Sequence, residues 1–529
     1  MFSDFRSAAR FLRIGRVLAR HDALFPLALL GVPAPLLLLP GLGIRRRRDL
    51  RLRRPGERLS LALQALGPSF IKLGQSLAVR DDLLGEAVAA DLVGLQDALP
   101  PFPAAQARAV IAEQLGAPID ALYRSFDDVP VAAASIAQVH FAVTTEGEPV
   151  AVKVLRPGIE LQFARDLAMF RWLARLVVRH RPSLDRLRAV EVVETFAETV
   201  ALEMDLRMEA AAASELAENF RGDPGFQVPK VDWRRTGARV LTLQRVQGIR
   251  IDDVGRLTTA GFDPREVLAR SAAVFFNQVF RDGFFHADMH PGNMFVSDPG
   301  EDAAAADIPR GLLVPVDFGI MGRLDRPTRN FLADMLVAFL DGDFRRVAEI
   351  HFDAGFVPPN QSIDRFAQAC RAIAEPILDR PMHEISVARL LGQLFTVTAA
   401  FQMPTQPQLL LLQKTMLVAE GVGRRLDPTT NMWLLARPLI ESWMRAHRGP
   451  EARIADAAGD WIGRLERLPA LLDRAASMET AFTPLGLRLH PETAAALRDG
   501  SQESGMGGRW GWLVAGLGLG LALGLLLGL

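Results

Sequence analysis

The sequence predicts an α+β chain of two lobes, a small sheet-rich lobe followed by a larger helical one. A helical extension precedes them and a C-terminal transmembrane helix closes the chain. Three observations carry this. The runs IAQVHFAV and PVAVKVLRP alternate apolar and other residues with period two, and GEP lies between them as a turn. From Val267 onward the chain is mainly helical, with short strand-like pieces only at NMFVS and GLLVPVDFG. The last nineteen residues, Gly511–Leu529, carry no charge.

In chain order, residues 1–54 hold an apolar stretch, Ala23–Ile44, followed at once by Arg45–Arg48, Arg51, Arg53 and Arg54. Pro26, Pro33, Pro35 and Pro40 interrupt the apolar run, so it reads best as a segment lying on an anionic membrane surface, with a second span as the alternative. Residues 55–130 read as helices. Residues 131–250 form the sheet lobe, with long helical segments at Leu161–Arg179 and Val190–Phe220 and a return to strand alternation in RVLTLQRVQGIRI. Residues 251–495 form the helical lobe. Residues 496–509 are a linker around the Gly-rich Gly500–Gly508, and residues 510–529 are long enough at about 1.5 Å per residue to cross a hydrocarbon core. Trp510 and Trp512 suit its interfacial belt. Gly516, Gly520, Gly524 and Gly528 lie on one stripe of that helix, either a homodimer contact or simply a Gly/Leu-biased tail.

Composition excludes several function classes. A net charge of +0 argues against a nucleic-acid partner held by a broad basic face. One cysteine, Cys370, permits no intrachain disulfide and points to a reducing compartment. Paired-Cys or His-rich spacing for a structural zinc is absent. Of the 61 basic residues four are lysines (Lys72, Lys153, Lys230, Lys414) and the remaining 57 arginines. In so arginine-biased a chain, a lysine marks a place where a compact ammonium is needed and a planar fork will not serve.

Phosphoryl transfer asks for a lysine on the phosphates, a carboxylate orienting it, oxygen ligands for Mg²⁺ and a carboxylate near the attacking group. Lys153 in VAVKV stands on a strand, FFHADMHPGN holds Asp288 and Asn293 five residues apart, and VDFG places Asp317 at a strand end. Their order, over about 165 residues, is that of a protein-kinase-like two-lobe fold. ALEMDLRMEAA offers Glu203, Asp205 and Glu209, of which Glu203 and Glu209 leave different faces of one helix toward two partners. His286 reads as a structural residue of its loop, because Pro291 and Gly292 exclude a regular helix pairing it with His290. Where a glycine-rich phosphate loop would stand, eighteen residues ahead of Lys153, the chain has Ala132, Ala133, Ala134 and Ser135. Alanine penalises φ > 0, so this loop should be stiffer and more easily helical, with N–H groups still able to receive a phosphate.

HADMHPGN, the AAAS loop, FIKLGQSLAVRDDLL, LVGLQDALPPF, the E-M-D triplet and LLLLQKTMLVAEGVGR together resemble the UbiB family. These are the atypical kinase-like (ADCK/UbiB) proteins of ubiquinone (coenzyme Q) biosynthesis, and the likeness runs from about Leu12 to Arg445. By that resemblance Lys153 contacts the phosphates of ATP or ADP and pairs with Glu209, Asp288 is the catalytic base, and Asn293 and Asp317 bind Mg²⁺. Lys72 and Gln75 form the K-x-G-Q signature of a helical extension over the nucleotide site, and Lys72 is expected to meet Glu203. The implied activity is ATP binding and hydrolysis. The implied partners are membrane lipids, polyprenylated ubiquinone precursors and the other biosynthetic enzymes, at the bacterial inner membrane with the kinase-like part cytoplasmic. A true protein kinase and a nucleotide-stabilised lipid-binding scaffold are the alternatives. Lys414 has no role in this reading, and Lys230, after a proline, reads as a surface residue.

Overall fold

The structure, a computed structural model of the chain, describes residues 2–26, 50, 52–78, 84–93, 95, 99–180, 189–298, 308–375, 397, 400–403, 407–429, 432–448, 482–483 and 486–487. The chain divides into two compact units, Met1–Trp443 and Met444–Leu529. In the second, the strands Phe482–Thr483 and Gly486–Leu487 pair antiparallel.

The first unit opens with helices Phe2–Arg20, Pro55–Leu66, Pro68–Leu77, Glu86–Val93 and Ala104–Leu115. The short helix Ile119–Leu122 then runs into a strand, β1 (Tyr123–Phe126), where a helical 55–130 was expected. YRSF has its apolar ends buried and its polar middle exposed, and its pairing partner lies downstream in the sheet. β1 pairs with β3 (Ala137–Thr144), which takes β2 (Ala132–Ala133) on the same side of the chain and β4 (Pro149–Leu155) beyond; β5 (Val240–Gln244) follows β4. All these pairings are antiparallel. Val150, Val152 and Val154 of β4 join Val110 and Ile111 of helix Ala104–Leu115 in one buried core, with Tyr123 and Phe126. Because a strand alternates its faces, Lys153 is turned away from that core.

Two further expectations are corrected here. The alanine run is not helical: Ala132 and Ala133 pair with Val139 and Gln138, and Ala134 N–H bonds Ala137 C=O at 2.8 Å, closing a tight hairpin. Pairing with β3 satisfies the backbone that a helix would otherwise have to satisfy within itself. The helical stretch Val190–Phe220 is two helices, Ala189–Glu203 and Leu206–Asn219, because Asp205 leaves the helix and caps the second by accepting from Arg207 N–H.

The second lobe is mainly helical: Val254–Thr259, Pro264–Phe276, Arg326–Leu340, Phe344–Asp353, Ile363–Ala374, Pro407–Leu426 and Met432–Arg448. Asp253, Asp263, Asp325, Asp343 and Ser362 each accept a hydrogen bond from the first turn of the helix that follows. Its strands are short. β6 (Gly248–Arg250) pairs with β8 (Met294–Ser297), and β8 with β9 (Leu313–Pro315). β7 (Phe284–His286) pairs with β10 (Met321–Arg323). A π-helical turn, Asn277–Asp282, ends at Gly283 with φ 65°, where Leu324 C=O closes on the backbone and leaves no room for a Cβ.

The C-terminal anchor expected over residues 510–529, and the inner-membrane localisation built on it, are corrected: among the described residues no helix is long and apolar enough to cross a membrane. The longest helices, such as Phe2–Arg20, Ile159–His180 and Pro407–Leu426, carry acidic and basic side chains along them, whereas a span needs about twenty largely uncharged residues. Residues 510–529, with their glycine stripe, and residues 27–44 lie outside the described residues.

Candidate active site

Two strand pairs bring the motifs together. β8–β9 sets Met294 opposite Pro315, and Val316 N–H bonds Asn293 C=O at 3.0 Å. β7–β10 sets Met321 opposite His286, and Ala287 N–H bonds Ile320 C=O at 3.0 Å. The loops 287–293 and 316–320 are thus held at both ends, which places Asp288 and Asn293 beside Asp317.

His286 pins the two loops. It is buried, its Nδ1 accepts from Asp288 N–H at 3.1 Å, and its Nε2 hydrogen-bonds Asp317 C=O. That pattern requires the proton on Nε2, so the ring is neutral, and burial lowers its pKa further despite the nearby Asp317 carboxylate. His290 Nδ1 accepts from Gly292 N–H at 3.1 Å as the chain makes the short 3₁₀ turn Pro291–Asn293.

Lys153 is the hub. Its Nζ donates to Glu209 Oε1 and Oε2 at 2.7 and 2.9 Å and lies 3.4 Å from Asp317 Oδ1. Glu209, on helix Leu206–Asn219, also accepts from Phe318 N–H at 3.3 Å. One ammonium between two carboxylates sets the charge state of the site. Burial alone would raise the Asp317 carboxyl, but the Lys153 ammonium and Gly319 N–H hold it below the ordinary carboxylate range. Burial pushes Glu209 up, and Lys153 opposes it. Burial pulls Lys153 down, and Asp317 and Glu209 together raise it. Asp317 nonetheless keeps 42% of its side-chain surface open, so it can take a ligand.

The extension reaches the same place. Lys72, on helix Pro68–Leu77, lies 3.0 Å from Glu203 Oε2 at the end of helix Ala189–Glu203, and its charge contributes to the lowering of Asp317. Gln75 is half-buried on the same helix. Glu203 and Glu209 therefore serve two lysines from two helices, not from two faces of one. Lys230 is exposed, and its C=O accepts from Gln244 N–H at 2.8 Å.

At the alanine hairpin the Ala134 C=O accepts from Arg156 at 2.8 and 3.1 Å, and Arg156 also donates to Pro100 C=O at 2.9 Å. Ser135 is fully buried, and its Oγ has no hydrogen-bond partner among the described residues. A sequence reading misses Arg156 because backbone carbonyl partners leave no motif. It also misses Lys414, whose Nζ donates to Asp288 Oδ1 at 2.8 Å. The available signals were the scarcity of lysine and the place of Lys414 in the motif LLLLQKTMLVAEGVGR, and neither names its partner.

Asp317 and Asn293 are hard oxygen donors suited to Mg²⁺, which takes few protein ligands when phosphates supply the rest.

The ABC1 atypical kinase-like domain matches residues 94–351, and the UbiB helical domain matches residues 370–431. A "Probable protein kinase UbiB" of Marinobacter nauticus is 41% identical over 88% of this chain and 84% of its own length. The chain belongs to the ABC1/UbiB family of atypical kinase-like proteins. A second "Probable protein kinase UbiB", from Aeromonas salmonicida, is 44% identical over 79% of this chain and 76% of its own. The solved structure of the Rv3197–erythromycin complex from Mycobacterium tuberculosis covers 72% of this chain and 90% of its own with TM-score 0.50. At 23% identity it shares the fold alone with this UbiB-family chain. Lys153, Glu209, Asp288, Asn293 and Asp317 fall within the ABC1 match, Lys72 and Gln75 precede it, and Lys414 falls within the UbiB helical match.

Proposed function

We propose that this UbiB-family chain binds Mg-ATP at Lys153, the 132–135 hairpin, Asn293 and Asp317, and hydrolyses it in support of ubiquinone biosynthesis, exposing polyprenylated intermediates to the pathway's enzymes. The observation that carries this is the Lys153 hub, with its ammonium 2.7 Å from Glu209 and 3.4 Å from Asp317. Lys153 would hold phosphate oxygens, and Asn293 and Asp317 would hold Mg²⁺, which supplies charge neutralisation at the transferred phosphoryl group. Asp288 orients the attacking water and accepts its proton. Lys72 is fixed by Glu203 and its charge reaches Asp317; by the family resemblance its helical extension would occupy the cleft that receives a protein segment in a kinase, which favours water over a peptide hydroxyl as acceptor.

The test is ATP turnover by the full chain with and without vesicles of anionic lipid, beside the quinone profile of a deletion strain carrying either the wild type or Asp317→Asn. Turnover lost in Asp317→Asn together with lost ubiquinone is expected. Full ubiquinone restored by Asp317→Asn overturns the catalytic reading. Transfer of labelled phosphate to a purified partner, abolished by Asp288→Asn, would replace hydrolysis by protein phosphorylation.

A further inference from the structure

Lys414 and Asp288 are 126 residues apart in sequence, and the Nζ–Oδ1 distance is 2.8 Å. The lysine rides on helix Pro407–Leu426, which belongs to the helical region beyond the kinase-like domain. That helix is fixed at its C-terminal end, where Arg425 meets Asp252 at 2.9 Å and Arg265 meets Asp427 at 3.2 Å. Leu412, Val422 and Leu426 are buried along it, and so is Thr415, next to the lysine. Lys414 is therefore presented to the loop by a rigid, docked element.

The pair contributes little to stability. Lys414 and Asp288 keep 37% and 34% of their side-chain surface, and ion pairs so open to water contribute about 0–1 kcal/mol. Its value lies in where it is. With ATP bound as proposed, a carboxylate beside its phosphates would be repelled by them, and a cation on one of its oxygens would offset that repulsion and fix its orientation. In a chain with 57 arginines and four lysines, the residue at this point is a lysine. A compact ammonium covers one carboxylate oxygen and leaves the second, whereas a guanidinium fork tends to take both.

We propose that Lys414 is the positioning residue of Asp288, supplied to the site by the helical region, so that this region completes the active site rather than merely flanking it. The role rests on the hydrolytic reading above. In the step it serves, the water oxygen bonds to the γ-phosphorus and the bond from that phosphorus to the β,γ-bridging oxygen breaks. The water proton passes to the Asp288 oxygen not engaged by Lys414, and ADP and phosphate leave. Lys414 stays protonated throughout.

The test uses the full chain with Mg-ATP and compares wild type, Asp288→Asn, Lys414→Ala and Lys414→Arg for kcat, KM and ADP affinity. Lys414→Ala should lower kcat about tenfold or more, the scale on which a positioned acid or base acts, with KM and ADP affinity within about twofold of wild type. Ethylammonium chloride should restore part of that kcat, and sodium chloride at equal ionic strength should not. Lys414→Arg keeps the charge and the helix and should bind ADP normally yet remain slow. Unchanged or increased kcat in Lys414→Ala, with Asp288→Asn inactive, overturns this role and leaves hydrolysis standing. Loss of ADP binding and kcat together without rescue by the amine makes Lys414 structural and overturns it equally. Full activity of Lys414→Arg removes the need for an ammonium. Absence of turnover in the wild type overturns the hydrolytic reading, and this role with it.

Discussion

Lys72 and Glu203 form an ion pair of 3.0 Å that fastens the N-terminal extension to the helix next to the Lys153 site, with only 12% and 13% of their side-chain surfaces exposed. Removing one partner leaves the other's charge less compensated in a poorly hydrated place. Lys72→Met and Glu203→Gln should each destabilise the extension by about 1–3 kcal/mol, and the double variant by less than their sum. Hydrogen exchange over residues 68–77 measures this, and roughly tenfold faster exchange in either single variant is expected. Additive effects in the double variant would show that the two residues act separately.

Ala133 pairs with Gln138 in the hairpin proposed to hold nucleotide, so its backbone is already in an extended conformation. Ala133→Gly removes the Cβ and loosens the hairpin by about 0.5–1 kcal/mol in a strand. The expected outcome is a changed ratio of ATP to ADP affinity by calorimetry, with the fold intact. Equal binding of both nucleotides before and after the substitution would detach the alanines from nucleotide choice.

Arg156 joins Pro100 C=O to Ala134 C=O, with 2.8 and 2.9 Å contacts from the same Nη2. Lysine cannot reproduce a guanidinium that reaches both the hairpin and the extension. Arg156→Lys should raise exchange at residues 132–137 and 99–102 together. A change confined to one of the two segments would show that Arg156 does not link them.

Tyr123 is the single tyrosine of the chain, so its phenol can be titrated without interference from another. Burial pushes its pKa up to about 12, with the hydrogen bond to Thr242 opposing, and the Tyr123 Oη–Thr242 Oγ1 distance is 3.1 Å. The folded state thus favours the neutral phenol. Its contribution to stability is fully present below the unfolded value near 10 and is lost as pH rises through about 12. Absorbance at the tyrosinate band should show no ionisation in the native chain until about two pH units above that of the denatured chain. Tyr123→Phe abolishes the signal and costs about 1 kcal/mol, because Thr242 loses a partner. A native midpoint near 10 would place Tyr123 in contact with water.

Much of the site was legible because its parts are local. The alternation of Val150, Val152 and Val154 fixes the face to which Lys153 belongs, since a strand has a period of two. Asp288 and Asn293 share one short loop, and Asp317 stands two residues beyond β9. The break between Glu203 and Asp205 was readable in principle, because Asp is a favoured N-cap, but unbroken apolar spacing on either side concealed it. β1 was not legible: four residues carry too little pattern, and their strand identity comes from pairing with β3.

By itself the sequence determined the two-lobe order, the lysine strand, the Asp-x4-Asn loop and the DFG carboxylate, because each depends on neighbours within a few residues and on backbone periodicity. Tertiary structure alone decided the rest. It folded the alanine run into a hairpin by supplying β3 as its partner, and it divided Glu203 and Glu209 between two helices and two lysines. It also carried Lys414 to Asp288 from 126 residues away. Contacts of that separation are set by how whole helices and sheets pack, and nothing in the local chain around either residue specifies them.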